Sequence, residues 1–315
     1  MKNGNHRAVI LFYHRFKEGG RVERLLPSLD IKGFKKQVTH LKRLYKFISM
    51  DELTDSIKNG KAFELPCVAL TIDDGYLDNY LLAYPILRQH GIPCLIYLTA
   101  GLIGSKNGLW IDDVELGLMH ARVKSFYFKE LLEDDVIDIS TIQAKKKVEK
   151  ILFSKMLKFE NTEREDLIQK LFDILDVDRL VIESRERKML NWEEIREMLE
   201  NGVSFGAHTL SHPYLPAMPL EVAKHEIEKS KEIVEKRLGK PVKHFAIPNG
   251  KPEDFTNDLR EFCEEIGFDT IVTTESGVVD STSNRFSLKR VLPPPPLYYF
   301  ACEIAKYLFF SKYYQ

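Results

Sequence analysis

The chain has 315 residues, 44% apolar and 30% charged, with a formal net charge of −1. That composition suits a globular protein with a sizeable core, and the balanced charge leaves no electrostatic footprint for nucleic acid. Cys67, Cys94, Cys263 and Cys302 stand far apart with no Cys-x-x-Cys pair, which argues against a disulfide framework or a zinc ribbon and for reduced, buried thiols. Met1–Arg7 lead into an apolar run, Ala8–Tyr13, that is too short for a secretory signal and lacks a small-residue cleavage site. No stretch reaches about 18 uninterrupted apolar residues, so neither export nor a membrane span is expected and the chain reads as cytoplasmic.

In chain order, Ala8–Tyr13 is rich in β-formers and predicts a strand buried on both faces, ending at His14. Phe34, Val38, Leu41 and Leu44 space a helix over Ile31–Tyr45, and Phe47–Met50 reads as a second strand. Cys67–Ile72 is a strand that runs into Asp73, Asp74 and Gly75. Asp78 is placed to cap a helix that restarts at Pro85 and stops at Gly91, and Cys94–Leu98 is another buried strand. From Gly101 to about Met189 the chain turns charged, with helical spacing over Ile142–Leu157 and Glu165–Leu175 and a short strand possible near Ser125. Strand–helix alternation resumes afterwards, so about 104–189 is expected as a helical insertion within a single domain, 1–315. Asn191 caps a helix over Trp192–Asn201, and Val203–Ala207 is a strand ending at His208. Leu220, Ala223, Ile227, Val234 and Leu238 mark a long amphipathic helix closed by Gly239. A strand over His244–Ile247, a helix over Asp254–Ile266 and a strand over Thr270–Thr273 follow. Such alternation predicts a parallel sheet or barrel.

In a parallel α/β barrel the carboxyl ends of the strands share one face, which carries the active site. His14, Asp73, Asp74, His208 and the Pro248-Asn249-Gly250 turn all fall at such ends. Neighbouring residues on a regular strand point to opposite faces, so Asp73 and Asp74 can serve one site only if the chain turns there, as Gly75 permits. His208 and His212 stand four apart, a spacing that puts both on one side of a helical turn. With a carboxylate they form a metal set that leaves positions open for water and substrate. Zn²⁺ suits it best, and Co²⁺, Ni²⁺, Fe²⁺ or Mn²⁺ are also accepted. Taken singly, Asp74-Gly75 is also a common turn dipeptide, and each histidine also reads as structural.

Three stretches, Thr71-Ile72-Asp73-Asp74-Gly75, His208-Thr209-Leu210-Ser211-His212 and Phe245-Ala246-Ile247-Pro248-Asn249-Gly250, resemble the polysaccharide deacetylase family (carbohydrate esterase family 4) in order and spacing. The resemblance implies a distorted, TIM-like (β/α) barrel of about seven parallel strands that removes acetyl groups from an N-acetylated carbohydrate with a divalent metal. By motif position Asp73 would be the general base, and Asp74, His208 and His212 the metal ligands. The backbone N–H of Asn249, after Pro248, would support the oxyanion. The family's late Leu-x-His acid is missing, because no histidine follows His244. Tyr13-His14 matches the Tyr-His of a circularly permuted subset, which assigns the acid to His14. The family's base-orienting arginine is replaced by Ala246, and Arg290 is the candidate substitute.

Tyr76, Trp110 and Asn249 are expected around the sugar, with Pro248 and Arg290 completing the substrate side; Trp110 reads equally well as core. Leu297–Gln315 is dense in aromatics, with Lys306 and Lys312 interspersed. It reads either as a helix closing the barrel bottom or as a peripheral contact with a membrane surface.

Overall fold

The computed structural model describes residues 6–19, 25–132 and 136–310. Seven strands, all parallel to their neighbours, form its sheet: β1 Ala8–Tyr13, β2 Lys46–Phe47, β3 Cys67–Ile72, β4 Cys94–Leu98, β5 Val203–Ala207, β6 His244–Ala246 and β7 Thr270–Val272. The order is β1-β3-β4-β5-β6-β7, and β2 shares with β4 the edge of β3 that β1 leaves free. The ends are joined by an irregular strip: Leu288 bridges to Val272 of β7, and Val291 bridges to Leu11 of β1. The architecture is therefore a distorted (β/α) barrel.

Alternation along the strands sorts side chains into two layers. Ala8, Ile10, Ala69, Leu95, Tyr97, Ala246, Val272 and Leu288 pack in one buried cluster inside the barrel. Val9, Leu11, Val68, Leu70, Ile72, Ile96 and Phe245 pack outward against the helices. The interior is tight: a Cβ on Gly206 of β5 would lie 2.6 Å from the Tyr97 ring. The same parity that turns Ala69 inward carries on through Thr71 to Asp73, which is how a carboxylate comes to sit at the mouth of the barrel.

The α-helices of seven or more residues are α1 Ile31–Leu44, α2 Met50–Lys58, α3 Tyr84–His90, α4 Trp110–Met119, α5 Ile142–Met156, α6 Asn161–Ile174, α7 Trp192–Glu200, α8 Leu220–Leu238, α9 Asn257–Glu265 and α10 Leu297–Ala305. Strand β2 is shorter than Phe47–Met50 because Ser49 and Glu52 form a capping box that starts α2 at Met50. Asp78 makes no helix-capping bond; its carboxylate instead accepts from Arg15 Nε and the Phe16 N–H. Asn79–Ala83 is a π-turn leading into α3.

Helices α4, α5 and α6 lie between β4 and β5 and bury their own core, including Val114, Leu118, Leu152, Met156, Leu171 and Phe172. Ser125–Phe126 pairs antiparallel with Ile137–Asp138 there. Helix α10 packs along α1 in the outer layer, with Phe300 and Ile304 fully buried. Tyr298, Tyr299, Phe309 and Phe310 are exposed, while Lys312, Tyr313 and Tyr314 fall outside the described residues. Among the described residues no helix is long and apolar enough to cross a membrane.

Candidate active site

Because the strands run one way, their carboxyl ends bring His14, Asp73, Asp74, His208, His212 and Asn249 around one cavity of about 290 Å³. The two adjacent carboxylates reach it by different means. Asp73 follows the inward parity of β3. Asp74 would point outward with Ile72, and it joins the site because its own backbone is left-handed, φ 77°, followed by Gly75 at φ 84°. Aspartate tolerates that region better than most residues.

Asp73 is buried and paired with Arg290, itself fully buried on the closing strip. The pair is bidentate, Nη1 to Oδ1 at 2.7 Å and Nη2 to Oδ2 at 2.7 Å. Arg290 Nε donates to the Thr273 carbonyl at 2.9 Å, and the guanidinium lies 4.5 Å from the Phe12 ring centre. Burial alone would push the Asp73 pKa up; Arg290 more than offsets this and holds it below the usual carboxylate value. Arg290 thus sits behind the carboxylate and does not reach the cavity, so its grouping with substrate-side residues is corrected: no part of it is exposed to a ligand. His14 Nε2 lies 3.9 Å from Asp73 Oδ2, on the open side of the pair.

Asp74 faces the two histidines. Its Oδ1 is 3.4 Å from His208 Nε2 and 3.6 Å from His212 Nε2, and it is buried without a hydrogen-bond partner. Bonds of about 2.0–2.1 Å at tetrahedral angles hold donor atoms about 3.3–3.4 Å apart, close to both Asp74–histidine separations, and all three donor atoms lie within 4.8 Å of one another, a grouping suited to one divalent ion. His208 is the right tautomer as well. His208 Nδ1–H donates to the Ala246 carbonyl at 2.7 Å, which keeps the ring proton there and leaves Nε2 free for a metal.

The His208–His212 spacing does not come from a helical turn. Thr209 at φ 63° and His212 at φ 58° bend an irregular loop that brings the rings 4.8 Å apart. A β-branched residue at positive φ is strained and needs support. Thr209 Oγ1 donates to the His208 carbonyl and accepts from the His212 N–H. Glu226, on α8, accepts from the N–H groups of Leu210 and Ser211 and from Ser211 Oγ. Sequence reasoning missed Glu226, since a lone glutamate in a charged amphipathic helix carries no signal.

Asn249 stands at φ 61°, its carbonyl held by Thr274 Oγ1 at 2.8 Å and its Nδ2 buried without a partner. Pro248 does not line the cavity; it is buried, and its carbonyl accepts from the Gly250 N–H, so it shapes the turn. Tyr76 and Trp110 do line it. The Tyr76 hydroxyl is occupied, donating to Asp112 Oδ2 at 2.7 Å. Trp110 stacks on Phe153 with rings 5.4 Å apart and lies beneath the Arg164 guanidinium at 4.8 Å, which limits its faces for sugar stacking. Asp112, fully buried, and Arg15 were also missed: Arg15 Nη1 donates to Asp112 Oδ1 at 2.5 Å.

The histidines titrate in opposite directions. Burial disfavours a charged His208, but the Asp74 and Asp73 carboxylates beside it outweigh that and raise its pKa. Burial and the neighbouring His208 push His212 down to about 4. As pH falls, the metal-free site therefore takes up a proton on His208 before His212. Loading a divalent ion must expel that proton, so affinity is expected to rise as pH climbs through the histidine range, and to fall further near pH 4. Calorimetric titration of Zn²⁺ in two buffers of different ionisation enthalpy checks this. Heats that do not depend on the buffer anywhere in the histidine range would contradict it.

The model of the family described as polysaccharide deacetylase matches residues 60–271. YxkH of Bacillus subtilis (strain 168) is 20% identical over 290 residues, covering 91% of this chain and 71% of that protein. Among solved structures, the Streptococcus pyogenes deacetylase PplD in complex with acetate superposes with a TM-score of 0.62 at 18% identity, over 96% of this chain and 98% of that one. IcaB from Ammonifex degensii gives the same TM-score and identity, over 96% and 97%.

Proposed function

Because the chain belongs to the polysaccharide deacetylase family, we propose that it is a metal-dependent hydrolase that releases acetate from an N-acetylated amino sugar. One observation carries the reading: two adjacent carboxylates in one cavity have separate partners, Asp73 an arginine and Asp74 two histidines.

Asp74, His208 and His212 would hold the ion, with Zn²⁺ the best match to two imidazoles and a carboxylate. When bound, a divalent ion at that place lowers the pKa of water and polarises a carbonyl. Asp73, kept ionised by Arg290, takes the proton of the attacking water. The Asn249 N–H, which donates to nothing among the described residues, meets the charge that grows on the acetyl oxygen. His14, on the open side of Asp73, protonates the amine as the C–N bond breaks. Arg290 acts as the positioning residue, supplying from the closing strip what Ala246 lacks. The missing motif arginine also prompts an alternative reading, an inactive carbohydrate-binding homologue, and elemental analysis of the purified protein separates the two: no stoichiometric metal would favour the inactive one. The exposed aromatics Tyr298, Tyr299, Phe309 and Phe310 are the residues that would touch a lipid surface in a peripheral contact.

Leu109, Ile111, Phe153 and Leu292 give the cavity an apolar wall, and this keeps small non-sugar amides as a second substrate class to test. The experiment is an acetate-release panel of N-acetylhexosamine oligomers, nucleotide sugars and small acetamides, on metal-loaded protein, with His208→Ala as control. Release from sugars that His208→Ala abolishes is the expected result. Release from small amides alone would replace the sugar reading.

A further inference from the structure

The family reading leaves open which sugars can reach the acetamide site, and the segment between β4 and β5 bears on that. Leu109, Trp110 and Ile111, at the start of α4, and Phe153 of α5 line the same cavity as Asp73, Asp74 and His208. This roof is fastened to the catalytic rim from below. Asp112, one residue beyond Ile111, accepts from Arg15 Nη1 at 2.5 Å and from the Tyr76 hydroxyl at 2.7 Å, and Lys188 Nζ lies 3.5 Å away. Arg15 directly follows His14, and Tyr76 directly follows Gly75. A second tie runs from α6, where Asn161 Nδ2 donates to Ser211 Oγ in the His208–His212 loop at 2.7 Å.

Such ties hold the roof in place. Removing one partner of a buried charge pair strands the other charge away from water, and the network has a buried charge at each end, Asp112 fully buried and Arg15 nearly so. The segment's separate hydrophobic core stiffens the rest. The space beneath is about 290 Å³, at the small end of the roughly 300–1,000 Å³ found for small-molecule sites. An interior unit of a polymer needs the chain to leave the site in two directions, past walls that are apolar and offer neighbouring sugars few partners. The buried, unpaired Nδ2 of Asn249 is the one side-chain amide among the described residues lining the cavity.

We infer that the site takes one amino-sugar unit end-on, either free or at the terminus of a chain or carrier, and excludes interior units. This rests on the deacetylase reading above and names the substrate form that reading leaves open. The test uses the Zn²⁺-loaded full chain with N-acetylglucosamine, its reducing-end-labelled tetramer and soluble partially acetylated polymer, each product mapped by tandem mass spectrometry. The expected result is removal from the monosaccharide or a terminal unit at least about 100-fold faster than from interior units, the scale set by misplacing a reacting group by about 1 Å. Trp110→Ala is expected to raise the interior share; if that variant fails to fold, the wild-type product map decides alone. Interior removal at a comparable rate would overturn this inference and leave the deacetylase reading standing. Acetate from no sugar would overturn both.

Discussion

Asp73→Asn is expected to lower acetate release by roughly 10²–10⁴-fold while the protein still binds its metal. The substitution keeps the shape of the side chain and removes its capacity to take a proton at neutral pH. It does not touch the Asp74, His208 and His212 donor atoms, so elemental analysis of the purified variant should still find the ion. His208→Ala, by contrast, is expected to lose metal and activity together. The two variants separate the carboxylate that moves a proton from the group that holds the ion. The amide of Asp73→Asn would leave part of the Arg290 fork unpaired in a dry site, so a lower melting temperature is expected. A variant that remains folded, metal-bound and fully active would show that Asp73 is not the base.

Much of this arrangement is legible in the sequence because strand ends are. β1, β3, β4 and β5 end where apolar runs meet polar residues, at His14, Asp73, Thr99 and His208. Parallel strands need no further information to put those ends on one rim. What spacing alone misreads is how the backbone delivers the side chains. His-x₃-His suggests a helical turn, yet Thr209 and His212 sit at positive φ, a strained conformation held by Glu226 and local bonds that no periodicity reveals. Helix α4 is hard to see for another reason. Its N-cap position is Leu109, which has no capping oxygen, and its first turn is closed by Asp112, a residue that also serves Arg15 and Tyr76. Partners far apart in the chain, such as Asp73 with Arg290, are set by barrel closure.

Arg290→Met is expected to destabilise the fold by about 3–5 kcal/mol at neutral pH, because it strands the Asp73 charge inside the barrel. The pH dependence separates this from simple loss of packing. In the wild type the Asp73 pKa is lowered by Arg290, so the pair contributes stability above the unfolded-state carboxylate pKa, and this is lost as pH falls through the folded value. Without Arg290, burial dominates and the folded pKa rises above the unfolded one. The variant then loses stability as pH climbs past the carboxylate range. The gap between the two proteins should therefore narrow at acid pH and widen toward neutrality, as read by urea denaturation at several pH values. The double variant Arg290→Met/Asp73→Leu removes both charges and fills similar volume, so most of the stability should return, with no acetate release. A gap constant with pH, or a double variant no more stable than Arg290→Met, would mean that Arg290 acts through packing against Phe12 and Tyr97 and not through its pair with the base.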